Sequence, residues 1–264
     1  MNPFRDRLPR PVPHYTENVM DEQRLNQVRA VLFDLDGTLL QVEMEQFIPA
    51  YIAKLATHFD DRVERCVFAE VVRSATFSLI RSEEVRRSNE EFFLGVTERH
   101  LGVDGALFAE RLQRFCADGL ADLAGLIRPL PLARDILGRC FERGLRVVIA
   151  TNPVFPRPVV EARLRWGGLD DFPYELVTTL ENSRCCKPHP GYFRDLLDRL
   201  ELPAEQTVMV GNDTEHDLAA AEAGITTFLV DTWLVDRCRG RFRADFRGDH
   251  RELLQFVETL GPSA

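Results

Sequence analysis

Four apolar runs, the first without any hydrophobic–polar alternation, constrain this chain most. They are A-V-L-F within 28–34, R-V-V-I-A-T at 146–151, Q-T-V-M-V-G at 206–211 and I-T-T-F-L-V at 225–230. Strands of this kind are buried on both faces, as in a parallel sheet covered by helices. After Pro129 they alternate with helical patterns at 131–143, 156–166, 190–200 and 214–223, and a further strand is expected near 174–179. Parallel neighbours need crossover connections, which helices of this length supply. The expected fold is α/β, a three-layer α/β/α Rossmann-like core around a parallel sheet.

Residues 41–127 break that rhythm. Phe47, Ile48, Tyr51, Ile52, Leu55 and Phe59 recur at helical spacing, as do Val63, Val67, Val71 and Leu79. Helices are also expected near 88–101 and 105–124, with no strand between them. The block reads as an inserted all-helical domain, so the core is assigned to 28–40 and 128–264. Residues 1–27 carry Pro3, Pro9, Pro11 and Pro13 and read as an arm over the core, with a short helix at 17–28. An Arg-rich tail from 236 precedes a terminal helical stretch, D-H-R-E-L-L-Q-F-V-E-T-L.

Open parallel sheets bind ligands beyond the carboxyl ends of their strands. The first run ends in D-L-D-G-T, where the two-residue period returns Asp36 to the side of Asp34. The second ends in Thr151 and Asn152. Lys187 lies in C-K-P-H-P ahead of a helix, and the fourth run ends in G-N-D-T-E-H-D with Asp213 and Asp217. These clusters are expected to converge on one sheet edge. A carboxylate can attack phosphorus and split one displacement into two easier ones. A second can protonate the leaving oxygen and later deprotonate water. A lysine can neutralise the transferring group. Paired acids at a fourth strand end offer the oxygen ligands that Mg²⁺ prefers.

Together the clusters resemble the haloacid dehalogenase-like hydrolase superfamily over about 28–40 and 128–232, and 41–127 resembles its helical cap. The resemblance implies Asp34 as nucleophile and Asp36 as acid/base. It implies a phosphate site of Thr151, the Asn152 N–H and Lys187. Mg²⁺ would be held by Asp34, the Asp36 backbone carbonyl and Asp213. Asp217 is either a further ligand or the residue that holds Lys187. Asn212 departs from the common pattern, in which an acid or the Gly precedes the principal acid. Dehalogenases of the superfamily usually lack an acid at the position of Asp36, so the expected reaction is Mg²⁺-dependent hydrolysis of a small phosphomonoester. A phosphomutase, such as β-phosphoglucomutase, and a non-catalytic phospho-ligand module are the alternatives.

Composition narrows the partners. A net charge of -9 and a pI of about 5.3 exclude broad attraction to nucleic acid or an anionic membrane. No apolar stretch approaches the ~20 residues of a membrane span, and the N-terminus lacks a signal peptide's apolar core. The six cysteines include no zinc-ligand spacing and are expected to be reduced thiols of a cytoplasmic protein. Oligomeric state is not legible. Of 33 basic residues only Lys54 and Lys187 are lysine, and ammonium and guanidinium are not interchangeable in a tight site. Lys187 is thereby singled out, whereas Lys54 is expected on the surface. His189 and His216 are read as surface or helix-start residues. Arg184 is given little weight. Glu43, Glu45 and Gln46 are weak candidates for substrate contact.

Overall fold

The computed structural model describes residues 19–237 and 240–261. Six parallel strands form its sheet: β1 (Ala30–Phe33), β4 (Arg146–Ile149), β5 (Leu176–Val177), β6 (Thr207–Gly211), β7 (Thr226–Val230) and β8 (Phe246–Gly248). Their order is β5-β4-β1-β6-β7-β8. β1 lies at the centre, with Phe33 in register with Ile149 of β4 and Val210 of β6. Alternation inside each apolar run separates two cores. Val31, Phe33, Val147, Ile149, Val208 and Val210 face one side, and Ala30, Leu32, Val148, Ala150 and Met209 face the other. The first face packs α6 (Ala133–Glu142), α7 (Arg157–Trp166) and α9 (His250–Val257); the second packs α8 (Pro190–Leu200). Burial on both faces is why the first run lacks polar alternation.

The helical insertion comprises α2 (Met44–Thr57), α3 (Arg65–Ile80), α4 (Asn89–Leu101), α5 (Gly105–Asp118) and a 3-10 turn at Leu120–Leu126. It is entered and left through a short antiparallel ribbon, β2 (Leu40–Val42) against β3 (Ile127–Pro129). The sequence did not mark this ribbon, because three residues containing Gln41 or Arg128 are too short and too polar to register as strand. A third attachment lies at the start of α4. Buried Asn89 donates through Nδ2 to the Pro153 carbonyl (3.2 Å), and its N–H donates to the Ser183 carbonyl (2.8 Å).

Several elements differ from the sequence-based expectation. The 105–124 helix divides at Gly119. The 214–223 helix is a 3-10 helix at Leu218–Ala223 only, since Asp213 and Asp217 take the preceding N–H groups with their side chains. The buried stripe of α3 is Phe68, Val72, Ala75 and Leu79, one residue on from the expected Val67 and Val71. Val67 is 43% exposed because the larger Phe68 takes the core, stacked on Phe59 at 4.5 Å between centroids. β8 falls inside the stretch read as an Arg-rich tail. α1 (Val19–Asn26) is followed by Val28, and Leu25 and Val28 join the core. The proline-rich residues 1–18 lie outside the described residues.

Among the described residues no helix is long and apolar enough to cross a membrane. Cys66, Cys116, Cys140, Cys185 and Cys186 are free thiols. Burial pushes the Cys140 and Cys186 thiols up to about 12, so both are protonated at pH 8. Iodoacetamide on the native protein at pH 8 is therefore expected to modify exposed Cys66 at least ~100-fold faster than either. Peptide mass mapping reads this directly. Comparable labelling of Cys140 would mean that α6 does not pack on the sheet.

Candidate active site

The polar strand ends meet around Asp34. Its N–H still donates to the Val210 carbonyl (2.9 Å), which carries the sheet pairing one residue past β1. The carboxylate then leaves between the ends of β4 and β6. Asp34 Oδ1 accepts from Lys187 Nζ at 2.7 Å, and the same ammonium reaches Asp217 Oδ1 at 2.6 Å. All three residues are buried. The Thr38 hydroxyl lies 3.3 Å from both Asp34 Oδ2 and Asn212 Oδ1.

One ammonium is thus shared by two carboxylates. Burial opposes the charge on Lys187, but Asp217 and Asp34 outweigh it and hold the ammonium above its ordinary value. A carboxylate this close to a lysine would ordinarily be depressed. Asp34 is instead pushed up to about 7: burial raises it most, Lys187 opposes, and repulsion from Asp217 and Asp36 adds to burial. Burial sets the direction, and Lys187, committed to Asp217 as well, does not offset it.

The loops that carry these groups are fixed by neighbouring polar side chains. Asn152 exchanges hydrogen bonds with the Lys187 backbone, Oδ1 accepting at 3.2 Å and Nδ2 donating at 3.3 Å. The Thr151 carbonyl accepts from Thr178 Oγ1 (2.7 Å) and Tyr192 Oη (3.0 Å). Asn152 and Lys187 are therefore clamped together, and the Thr151 hydroxyl makes no hydrogen bond to another described residue. His250 of α9 joins the Thr38 carbonyl (2.8 Å) to Thr232 Oγ1 (3.0 Å) and pins the turn after β1. Gly37 in that turn has φ +82°, and a Cβ there would collide with Asn212 Nδ2. A Cβ on Gly211 would collide with the Asp217 carboxylate, so β6 must end in glycine for Asp217 to reach Lys187.

Two of the expected acids turn to arginines. Asp213 meets Arg237 through both oxygens, at 2.9 and 2.8 Å from Nε. Its Oδ1 also accepts from the Glu215 and His216 N–H groups, both at 2.9 Å. Burial works against this carboxylate, but Arg237, His216 and the backbone donors outweigh burial and hold it below its usual range. Asp36 accepts from Arg163 Nη2, and Arg163 is fully buried in α7. Asp217 has both oxygens engaged, one on Lys187 and one on the Asp213 N–H (2.9 Å). Of the two roles open to it in the sequence, holding Lys187 is the one its contacts support.

The remaining candidates lie elsewhere. His189 caps α8, its Nδ1 accepting from the Gly191 N–H at 3.0 Å. His216 sits beside Asp213 and Arg237, and burial first of all lowers its pKa. Lys54 pairs with Asp122 on the surface at 2.6 Å. Arg184, Glu43, Glu45 and Gln46 are exposed, and Gln46 bonds Glu43. The sequence reading missed Arg163, Arg237, His250 and Tyr192. Nothing in 31 arginines marks two of them, and the other two act through contacts far along the chain.

The profile of the haloacid dehalogenase-like hydrolase family matches residues 28–224. The chain belongs to that family. The hydrolase is 26% identical over 246 residues to pyrophosphatase PpaX of Bacillus cereus (strain Q1), an alignment covering 90% of this chain and 100% of the relative. Its fold is shared with a HAD phosphatase from Thermococcus onnurineus (TM-score 0.56, 21% identity, 88% of this chain and 99% of the other). It is also shared with L-2-haloacid dehalogenase from Xanthobacter autotrophicus (TM-score 0.53, 16% identity, 88% and 98%). One fold thus carries both chemistries, so the site must discriminate between them. The Bacillus cereus relative is itself named a pyrophosphatase.

The site's charge fits a divalent cation, because Asp34 sits among more negative charge than Lys187 balances. The side chains fit it less completely. Among the described residues no three His, Cys, Asp or Glu side chains are grouped to hold a metal. Asp213 joins such a group only if Arg237 releases it, a movement open to a side chain that is 37% exposed.

Proposed function

We propose that this hydrolase is a Mg²⁺-dependent phosphatase that cleaves a small phosphomonoester through an aspartyl-phosphate on Asp34. The observation that carries the reading is the buried Asp34–Lys187 contact at the end of β1 with a second acid, Asp36, beside it. Asp34 attacks phosphorus, the bond from phosphorus to the leaving oxygen breaks, and that oxygen takes a proton from Asp36. Water then attacks the phosphoryl group, gives its proton to Asp36, and the bond to Asp34 breaks to release phosphate. Thr151, the Asn152 N–H and Lys187 hold the phosphoryl oxygens. Asp34, the Asp36 carbonyl and Asp213 would hold Mg²⁺, which supplies charge neutralisation at the phosphoryl group. Asp217 keeps Lys187 in place.

The helical insertion acts as a cap in this reading. Between it and the core lies a small apolar crevice lined by Tyr51, Phe93, Val154, Phe155 and Leu180. The test is phosphate release from p-nitrophenyl phosphate and a panel of phosphomonoesters, with and without Mg²⁺. Inorganic pyrophosphate belongs in the panel because the Bacillus cereus relative is named for it. Metal-dependent release is expected. Phosphate transfer between positions of a sugar phosphate without net release would point to a mutase, and tight binding without turnover to a sensor.

The ligand set has its own test. Arg237→Ala frees Asp213 from a charge-assisted fork, so calorimetry is expected to show Mg²⁺ binding tightened about tenfold. An unchanged affinity would remove Asp213 from the set.

A further inference from the structure

Arg163 is the least expected side chain in the core. It is fully buried, yet among described residues its guanidinium has one hydrogen-bonded nitrogen, Nη2 on Asp36, while Nε and Nη1 have no partner. Its Cζ lies 4.9 Å from the Phe155 ring centroid and 5.5 Å from that of Phe47. Phe47 belongs to α2 of the insertion and Phe155 to the core loop after β4, so both parts of the protein form the seat. The two rings also meet edge-on at 5.7 Å.

Stability does not account for such a residue. Unpaired buried N–H groups are costly, and a buried ion pair is commonly no better than apolar side chains of the same volume. Methionine would pack between two phenyl rings without either penalty. What only a guanidinium supplies is a fixed, permanently charged donor to a carboxylate. Asp36 accepts that donor, so the place of its carboxyl is set by a side chain locked between two rings.

We propose that Arg163 is the positioning residue of the acid/base, fixing the Asp36 carboxyl in place beside Asp34. This rests on the phosphatase reading above. In the first step Asp34 forms its bond to phosphorus, the leaving oxygen departs with the bonding pair, and it collects the proton of Asp36. Arg163 keeps its own protons throughout. The ring seat ties the position of Asp36 to the seating of α2.

Phenyl phosphate and p-nitrophenyl phosphate share a shape and differ in leaving-group basicity, so only phenolate needs the proton. In Arg163→Met the first-turnover burst of p-nitrophenolate is expected to stay within about threefold of wild type. The kcat on phenyl phosphate is expected to fall about 30- to 100-fold with little change in KM, within the range of general acid catalysis. Arg163→Lys keeps a cation without the fork and is expected to fall between the two. It carries the same comparison if the methionine variant does not fold. Equal loss on burst and phenyl phosphate turnover, or no loss on either, would overturn the proposal. A wild-type protein that releases no p-nitrophenolate would instead overturn the phosphatase reading itself.

Discussion

Asp34→Asn is expected to lower phosphate release by at least about 1000-fold and, in metal-free buffer above pH 7, to make the protein more stable than wild type. The loss of activity follows from removing the proposed nucleophile. The gain in stability follows from the burial of the Asp34 carboxylate. The Asp34 carboxyl ionises near 7 in the folded chain against 3.8 unfolded, chiefly because it is buried. Between those values the folded state keeps a proton that the unfolded state has lost, so this group's contribution to stability falls as pH rises from about 4 to 7. Above 7 both states are ionised and the native state carries the whole cost, on the order of a few kcal/mol at about 1.4 kcal/mol per unit. Asparagine cannot ionise and leaves Lys187 to Asp217 alone. Thermal melts in EDTA at pH 5 and pH 8 read the difference, which should be small at the lower pH and largest at the higher. Parallel curves for the two proteins would mean that buried negative charge is not what limits the native state.

Lys187→Met should do the opposite. The substitution leaves Asp34 and Asp217 buried with no cation between them, a change that typically costs about 3–5 kcal/mol. The penalty should be greater at pH 8 than at pH 5, because protonation of Asp34 relieves it at low pH. The lysine's own titration adds no slope there: its folded value is raised, so its contribution is intact below its unfolded value of about 10.4 and is lost only above the folded one. Activity should be lost with stability. Arg in place of Lys187 should not restore either, since a planar guanidinium replaces a compact ammonium in a fully buried seat. Urea midpoints at the two pH values check this, and a variant as stable as wild type at pH 8 would show that the carboxylates have another source of compensation.

The main strands were legible because burial on both faces leaves a continuous apolar run, as in Val147–Val148–Ile149. β2, β3 and β8 were not, since each has three residues and contains Gln41, Arg128 or Arg247. Their pairing comes from neighbours already in place. The α3 register was a contest between two apolar rows one residue apart, and side-chain volume decided it for Phe68. Within the site, Asp34, Thr151, Lys187 and Asp217 were legible because a polar residue after a buried run has to be accounted for locally. Arg163 and Arg237 were not, because a guanidinium's partner depends on where helix and loop land, not on its own neighbours.

From the order of residues alone follow the parallel sheet, the insertion, and the identity of the groups at the strand ends. Those features depend on local periodicity and on polar residues that break it, and both are properties of adjacent positions. Only the tertiary structure decided which cation each carboxylate meets. Strand order sets Asp34 between the ends of β4 and β6, brings Lys187 to it from 153 residues away, and turns Asp36 to Arg163 and Asp213 to Arg237. Ion pairs form through space between groups that packing brings within a few ångströms. Their distribution therefore exists only once the sheet has closed.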